Sequence, residues 1–215
     1  MSSWSVVVPA KRLAVAKTRL RPLTGEPGGD HGALVLALLA DTVAAALACP
    51  RVGSVVVVTD DPAAAQLVRA LGAGTVADEP DRGLNPALEH GARHAGGDRV
   101  AALSSDLPAL RSGELAAALT AAEMAPRCFV ADAQGTGTTL LTAAGVPLHP
   151  RFGRGSAQAH RKDGAAPLSG AWPGLLRDVD TPDDLRTALA LGAGARTTEL
   201  VRRSSRLADR LGTAR

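Results

Sequence analysis

Small hydrogen-bond donors gather between Asp132 and Ser156. Gly135-Thr136-Gly137-Thr138-Thr139 comes first, then Pro150-Arg151-Phe152-Gly153-Arg154-Gly155-Ser156, with the apolar run Leu140-Leu141-Thr142 between them. Glycine lets backbone N–H groups approach an anion closely, and Thr and Ser add hydroxyl donors. Arg151 and Arg154 add positive charge in a fork that suits phosphate or carboxylate. Ser156 precedes a short helix predicted over 157–161, whose N-terminus favours an anion. Such loops could grip a small phosphorylated acid. The same residues also make ordinary turns, and this stretch alone leaves both readings open.

Two further groups could do chemistry. Lys11, Lys17 and Arg19 follow the first predicted strand, Trp4 to Ala10. An open α/β sheet places its ligand at the carboxyl ends of its strands, so these cations read either as holding a nucleotide triphosphate or as a solvated basic loop. The second group is carboxylates. Asp106 ends a buried strand, Val100 to Leu103, and a carboxylate there is costly unless paired or on a metal. It reads as a Mg²⁺ ligand, with a turn cap as the alternative. Asp180, at the tip of a late strand predicted over 175–179, could share that metal.

The elements that must position these groups alternate. Helix patterns follow strand patterns at 32–48, 61–71, 86–94 and 114–124, with strands at 55–59, 74–78, 100–103 and 129–133. Asp61-Pro62 and Thr181-Pro182 are helix starts, each with a side-chain cap and proline in the first turn. The pattern predicts one α/β domain: a single doubly wound, mostly parallel sheet of the nucleotide-diphospho-sugar transferase, Rossmann-like type, over 1–195. Residues 196–215 read as a basic C-terminal tail. There is no G-x-x-x-x-G-K-[ST], so the first loop is not a P-loop.

The chain of 215 residues, 46% hydrophobic, can build a real core. Aromatic residues are only 2%, which argues against the stacking platforms of single-stranded nucleic-acid binding. A net charge of +3 is a mild bias towards anionic ligands. Cys49 and Cys128 have no metal-ligand spacing. Without a leader pattern or membrane-length apolar run, the expectation is a cytoplasmic protein with no nucleic-acid or membrane partner.

An ordered set of motifs also resembles a known family. Val8-Pro9-Ala10-Lys11, Ala16-Lys17-Thr18-Arg19-Leu20, Gly83-Leu84-Asn85, Asp106-Leu107-Pro108-Ala109-Leu110 and Gly135-Thr136-Gly137-Thr138-Thr139 occur in order. Phe152-Gly153-Arg154-Gly155-Ser156 and Asp178-Val179-Asp180-Thr181-Pro182-Asp183-Asp184-Leu185 follow. Together, over residues 4 to 191, they resemble the phosphoenolpyruvate / 2-phospho-L-lactate guanylyltransferases of coenzyme F-420 biosynthesis. The resemblance implies Mg²⁺-dependent transfer of GMP from GTP to a small phosphorylated acid, releasing pyrophosphate. It implies acceptor contacts at Thr138, Gly153 and Ser156, and Asn85, at the end of the polar loop from Asp78, is a further substrate-binding candidate that could help to read guanine. Lys11, Lys17, Arg19 and Asp106 match the catalytic positions. The Ala- and Arg-rich composition resembles actinobacterial members, for which phosphoenolpyruvate is the implied acceptor; 2-phospho-L-lactate and 3-phosphoglycerate are the alternatives. A downstream transferase of the same pathway is the one protein partner to expect. The rival readings are a molybdenum-cofactor-type nucleotidyltransferase and a non-catalytic nucleotide sensor. The first uses a glycine-rich first loop, which Lys11 to Arg19 lacks.

Overall fold

The computed structural model describes residues 3–11, 17–24, 30–79 and 81–212. Residues 1–2, the middle of the basic loop (12–16), residues 25–29 of the Pro/Gly-rich loop that follows, position 80 and residues 213–215 lie outside them. The chain runs β1 (Trp4–Pro9), α1 (Arg21–Thr24), α2 (Asp30–Leu47), β2 (Val52–Val58), α3 (Pro62–Ala70), β3 (Gly74–Val76), α4 (Leu84–Ala95) and β4 (Arg99–Leu103). It continues with α5 (Ser112–Ala121), β5 (Arg127–Ala131), β6 (Thr138–Ala144), α6 (Ser156–Lys162), β7 (Ala166–Leu168) and α7 (Pro173–Leu176). Three helices close it: α8 (Pro182–Ala190), α9 (Ala195–Arg203) and α10 (Ser205–Leu211).

Local chemistry explains several boundaries. The Asp61 carboxylate accepts from the amides of Ala63 at 3.0 Å and Ala64 at 3.1 Å, with Pro62 at the first helical position of α3. Thr181 and Asp184 form a reciprocal capping box at α8: Asp184 N donates to Thr181 Oγ1, and Thr181 N donates to Asp184 Oδ2. The helix α2 is the one described helix long and apolar enough to span a membrane, and half of it is buried inside the protein. Leu34, Leu38, Leu39 and Val43 are among its buried side chains.

Among the described residues, seven strands form one sheet in the order β3-β2-β1-β4-β6-β5-β7. β1 pairs in parallel with β2 and β4, β2 with β3, and β5 with β7. β6 runs antiparallel to both its neighbours, with Leu103 opposite Leu140 and Phe129 opposite Leu141. This reversal positions the site: the start of β6, Thr138, is brought to the sheet edge where β4 ends.

Two expectations are corrected. The late strand over 175–179 is instead the single helical turn α7 followed by an irregular segment. Leu175 and Leu176 donate their amides back to Trp172 O, so the pattern is a turn rather than a ladder. The residues expected as a basic tail from 196 form most of α9 and all of α10 and belong to the body of the protein. Val201, Leu207 and Leu211 are buried with Leu20, Leu23, Leu34 and Leu38. The arginines lie outside a narrow apolar stripe, which made the average composition look like a tail. Asp41 of α2 accepts from the amides of Arg196 at 3.0 Å and Thr197 at 2.8 Å, fixing the start of α9.

Candidate functional site

The carboxyl ends of β1 and β4 open onto a cleft of about 430 Å³, lined among others by Lys11, Lys17, Arg19, Ser105, Asp106 and Asp180. Lys11 leaves β1 exposed, and Arg19 is exposed on a short 3-10 turn, Thr18–Leu20. Lys17 adopts a left-handed conformation, φ 51°, at the start of that turn. Asp106 is buried beyond β4, where Leu107 N donates to Thr42 Oγ1 at 2.9 Å. Val179 N donates to Asp106 O at 3.0 Å, which carries the 178–180 segment to the end of β4.

Two carboxylates therefore meet one cation. Lys17 Nζ bonds Asp106 Oδ2 and lies 2.6 Å from Asp180 Oδ1. Burial alone would lower the lysine's pKa, but Asp106 and Asp180 outweigh it and raise the pKa well above its ordinary value. Asp178 lines the same cleft, and its carboxyl is pushed up to about 7, first by burial and then by the charges of Asp106 and Asp180. Lys17, expected on a triphosphate, is thus held here between two acids.

The donor-rich loops are built differently from expectation. The amides of Thr136 and Gly137 do not face an open pocket: they donate to the two oxygens of Asp132, at 2.9 and 2.8 Å. A Cβ at Gly137 would collide with that carboxylate, so this glycine permits the turn rather than an anion's approach. The first two amides of α6 are engaged too, Ser156 N with Gly153 O and Ala157 N with Thr136 O, both at 3.1 Å. The side chains of Thr138 and Ser156 remain as the donors, both buried and 3.0 Å apart. Gly153, at φ 129°, turns the second loop where a side chain would be strained. Arg151 Nε is 2.9 Å from Asp163 Oδ2, while Arg154 is exposed.

Asn85 and His160 tie these loops down. Asn85 Oδ1 accepts from Phe152 N at 2.8 Å, and its Nδ2 donates to Phe152 O at 3.1 Å. Asn85, expected on substrate, grips the loop that carries Gly153. His160 is buried; Arg151 N donates to its Nε2 at 2.9 Å, and its Nδ1 lies 3.0 Å from Thr138 Oγ1. Burial lowers the ring's pKa to about 4, assisted by Arg151 and Arg127 against Asp163. No motif in the sequence singles out His160; its spacing of four from Ser156 on one helix was the available signal, since such pairs share a face.

The loop meets the cleft through Phe152, which lines it. Thr138, Gly153 and Ser156 do not line the 430 Å³ space. They border it through β4 and β6, where Ser104 N donates to Thr139 O at 2.9 Å, two residues before Asp106. A second cavity of about 310 Å³ shares Pro9, Ala10, Lys11 and Leu84 with the cleft and adds Asp60, Asp78 and Asp81.

A family model described as "Guanylyl transferase CofC like" matches residues 4–207. A protein of Geodermatophilus obscurus is 71% identical over 202 residues, covering 93% of this chain and 94% of its own; it is named phosphoenolpyruvate guanylyltransferase. A Salinispora arenicola protein of the same name is 56% identical over 200 residues, with 92% of each chain covered. Among solved structures, a nucleotidyl transferase from Methanothermobacter superposes with a TM-score of 0.65 at 24% identity, covering 89% of this chain and 98% of that one, a likeness of fold.

Proposed function

The chain belongs to the guanylyl transferase CofC-like family, and from that premise we propose that its cleft transfers GMP from GTP to phosphoenolpyruvate. The product is enolpyruvyl-diphospho-guanosine, an intermediate of coenzyme F-420 biosynthesis. The observation that carries this reading is the convergence of Asp106 and Asp180 on one cation at the carboxyl edge of the sheet, beside the Thr138–Ser156 hydroxyls.

A phosphate oxygen of the acceptor attacks the α-phosphorus of GTP. A new P–O bond forms as the bond to the bridging oxygen breaks, and pyrophosphate carries away that electron pair. The nucleophile is already anionic, so no general base is required. What the protein supplies is alignment and relief of charge repulsion.

Asp106 and Asp180 fit Mg²⁺. The ammonium of Lys17 already stands between them as a cation, and both donors are the hard oxygens that Mg²⁺ takes. Among the described residues no three acid, histidine or cysteine side chains converge into a complete metal site. That suits an ion held by one or two carboxylates and completed by water and substrate phosphates. When bound, it neutralises charge on the reacting phosphates. Lys17, released from the acids, would turn its charge to the phosphates, alongside Lys11 and Arg19 at the mouth.

For the base, the second cavity offers acceptors. Guanine presents N1–H and N2–H₂ side by side, a pair that a carboxylate accepts, whereas adenine has no such pair on that edge. Asp78 lies there with its pKa raised, first by burial and then by Asp60.

Pyrophosphate release with GTP across a panel of phosphorylated three-carbon acids tests the reading. The highest kcat/KM is expected with phosphoenolpyruvate. A value tenfold higher with 2-phospho-L-lactate would overturn the choice of acceptor. Asp106→Asn should lower turnover by about two orders of magnitude or more at saturating Mg²⁺; unchanged turnover would remove Asp106 from the site.

A further inference from the structure

We propose that His160 is the positioning residue of the acceptor pocket, fixing the Thr138 hydroxyl as a donor and pinning the Arg151–Gly153 backbone to the same ring. This rests on the reading of Thr138, Gly153 and Ser156 as the acceptor site.

The donor from Arg151 cannot reverse. A backbone N–H only donates, so the bond from Arg151 N at 2.9 Å makes His160 Nε2 an acceptor without a proton. The neutral ring then carries its proton on Nδ1, which faces Thr138 Oγ1 at 3.0 Å. Ser156 Oγ donates to the same oxygen, also at 3.0 Å. A hydroxyl accepts two hydrogen bonds and donates one. With both acceptor positions of Thr138 filled, its remaining capacity is its own O–H. That hydrogen is the one an anionic phosphate or carboxylate oxygen needs.

The ring therefore acts on the pocket from two sides. Through Nδ1 it sets the sense of the Thr138–Ser156 pair. Through Nε2 it holds Arg151, two residues before Gly153, while Asn85 holds Phe152 between them. Phe152 packs edge-on against the ring at 5.2 Å and Phe129 tilts over it at 5.9 Å, which locks its orientation. A proton on Nε2 would confront the Arg151 amide with a second donor. The buried site keeps that proton off, since burial holds the ring's pKa at about 4.

The two arms can be separated by substitution. His160→Asn can keep a donor near Nδ1 but loses the acceptor for Arg151. His160→Gln can keep an acceptor near Nε2 but loses the donor to Thr138. Each is expected to raise the KM for phosphoenolpyruvate tenfold or more, with the KM for GTP within twofold. Loss of general integrity would move both constants together. Thr138→Val is run beside them. If Thr138→Val raises the acceptor KM and neither His160 variant does, the role of His160 is refuted and the acceptor site stands. If Thr138→Val leaves the acceptor KM unchanged, the acceptor-site reading falls and the proposal with it. A measurement on the wild-type protein guards against variants that fail to fold. ¹⁵N-histidine NMR should show the Nδ1–H tautomer for His160, although a free histidine side chain favours Nε2–H. The Nε2–H tautomer, or a protonated ring at neutral pH, would overturn the assignment.

Discussion

Replacing His160 by Gln should change the pH dependence of stability as well as its level. The folded ring has its pKa lowered to about 4, first by burial, against an ordinary value of 6.5. As pH falls, the unfolded chain takes up this proton near 6.5, while the folded chain does not until about 4. The ring's contribution is thus present above pH 6.5 and lost as pH falls towards 4. At about 1.4 kcal/mol per pKa unit, the loss reaches roughly 2 kcal/mol at pH 5. Asp178 works in the other direction. Its carboxyl, raised to about 7, disfavours the folded state at neutral pH and is relieved by acid. Comparing wild type with the variant at each pH cancels Asp178 and leaves His160. At pH 7 the variant loses the bond to Thr138 and the contacts with the two Phe rings, a cost of about 1–2 kcal/mol. Between pH 7 and pH 5 this advantage of wild type should shrink by roughly 2 kcal/mol, to near zero or below. Urea unfolding of both proteins at the two pH values measures it. A difference that stays constant across the range would show that His160 is not held neutral by the fold.

Asp78→Asn should weaken guanine selection. The ratio of kcat/KM for GTP over ATP is expected to fall about tenfold or more, and that for GTP over ITP, which lacks the N2 amine, to fall with it; unchanged ratios would place guanine elsewhere. The C-terminal helices should be needed for folding. Leu207→Ala, at a fully buried position, should cost about 2–5 kcal/mol in urea unfolding, and a loss under about 1 kcal/mol would contradict the packing described for α10.

How much of this was legible in the chain itself depends on the range of the interaction. Whatever is decided within a few residues could be read directly. The caps at Asp61 and Thr181, the buried run Val6-Val7-Val8 and the alternation of strands and helices all depend on local patterning. The strand-end position of Asp106 follows too, because an apolar run that stops at a carboxylate marks the edge of a sheet. The ordered motifs carried the family, as the match over residues 4–207 bears out.

Other features required distant segments to meet. The antiparallel sense of β6 depends on its pairing with β4 and β5, and an apolar run reads the same in either direction. Only that reversal brings Thr138 beside the end of β4. The two amides expected to bind an anion are instead taken by Asp132, because a carboxylate four or five residues away is the nearest acceptor once the turn closes. The bond from Ser204 to Asp30 and the burial of Leu207 against the N-terminal helices were hidden for the same reason. Arginines dominate the composition of that segment, while its packing depends on a few apolar residues aligned on one face. His160 is the clearest case: its tautomer, and so its use, is set by the backbone amide of Arg151, which only the folded chain presents to it.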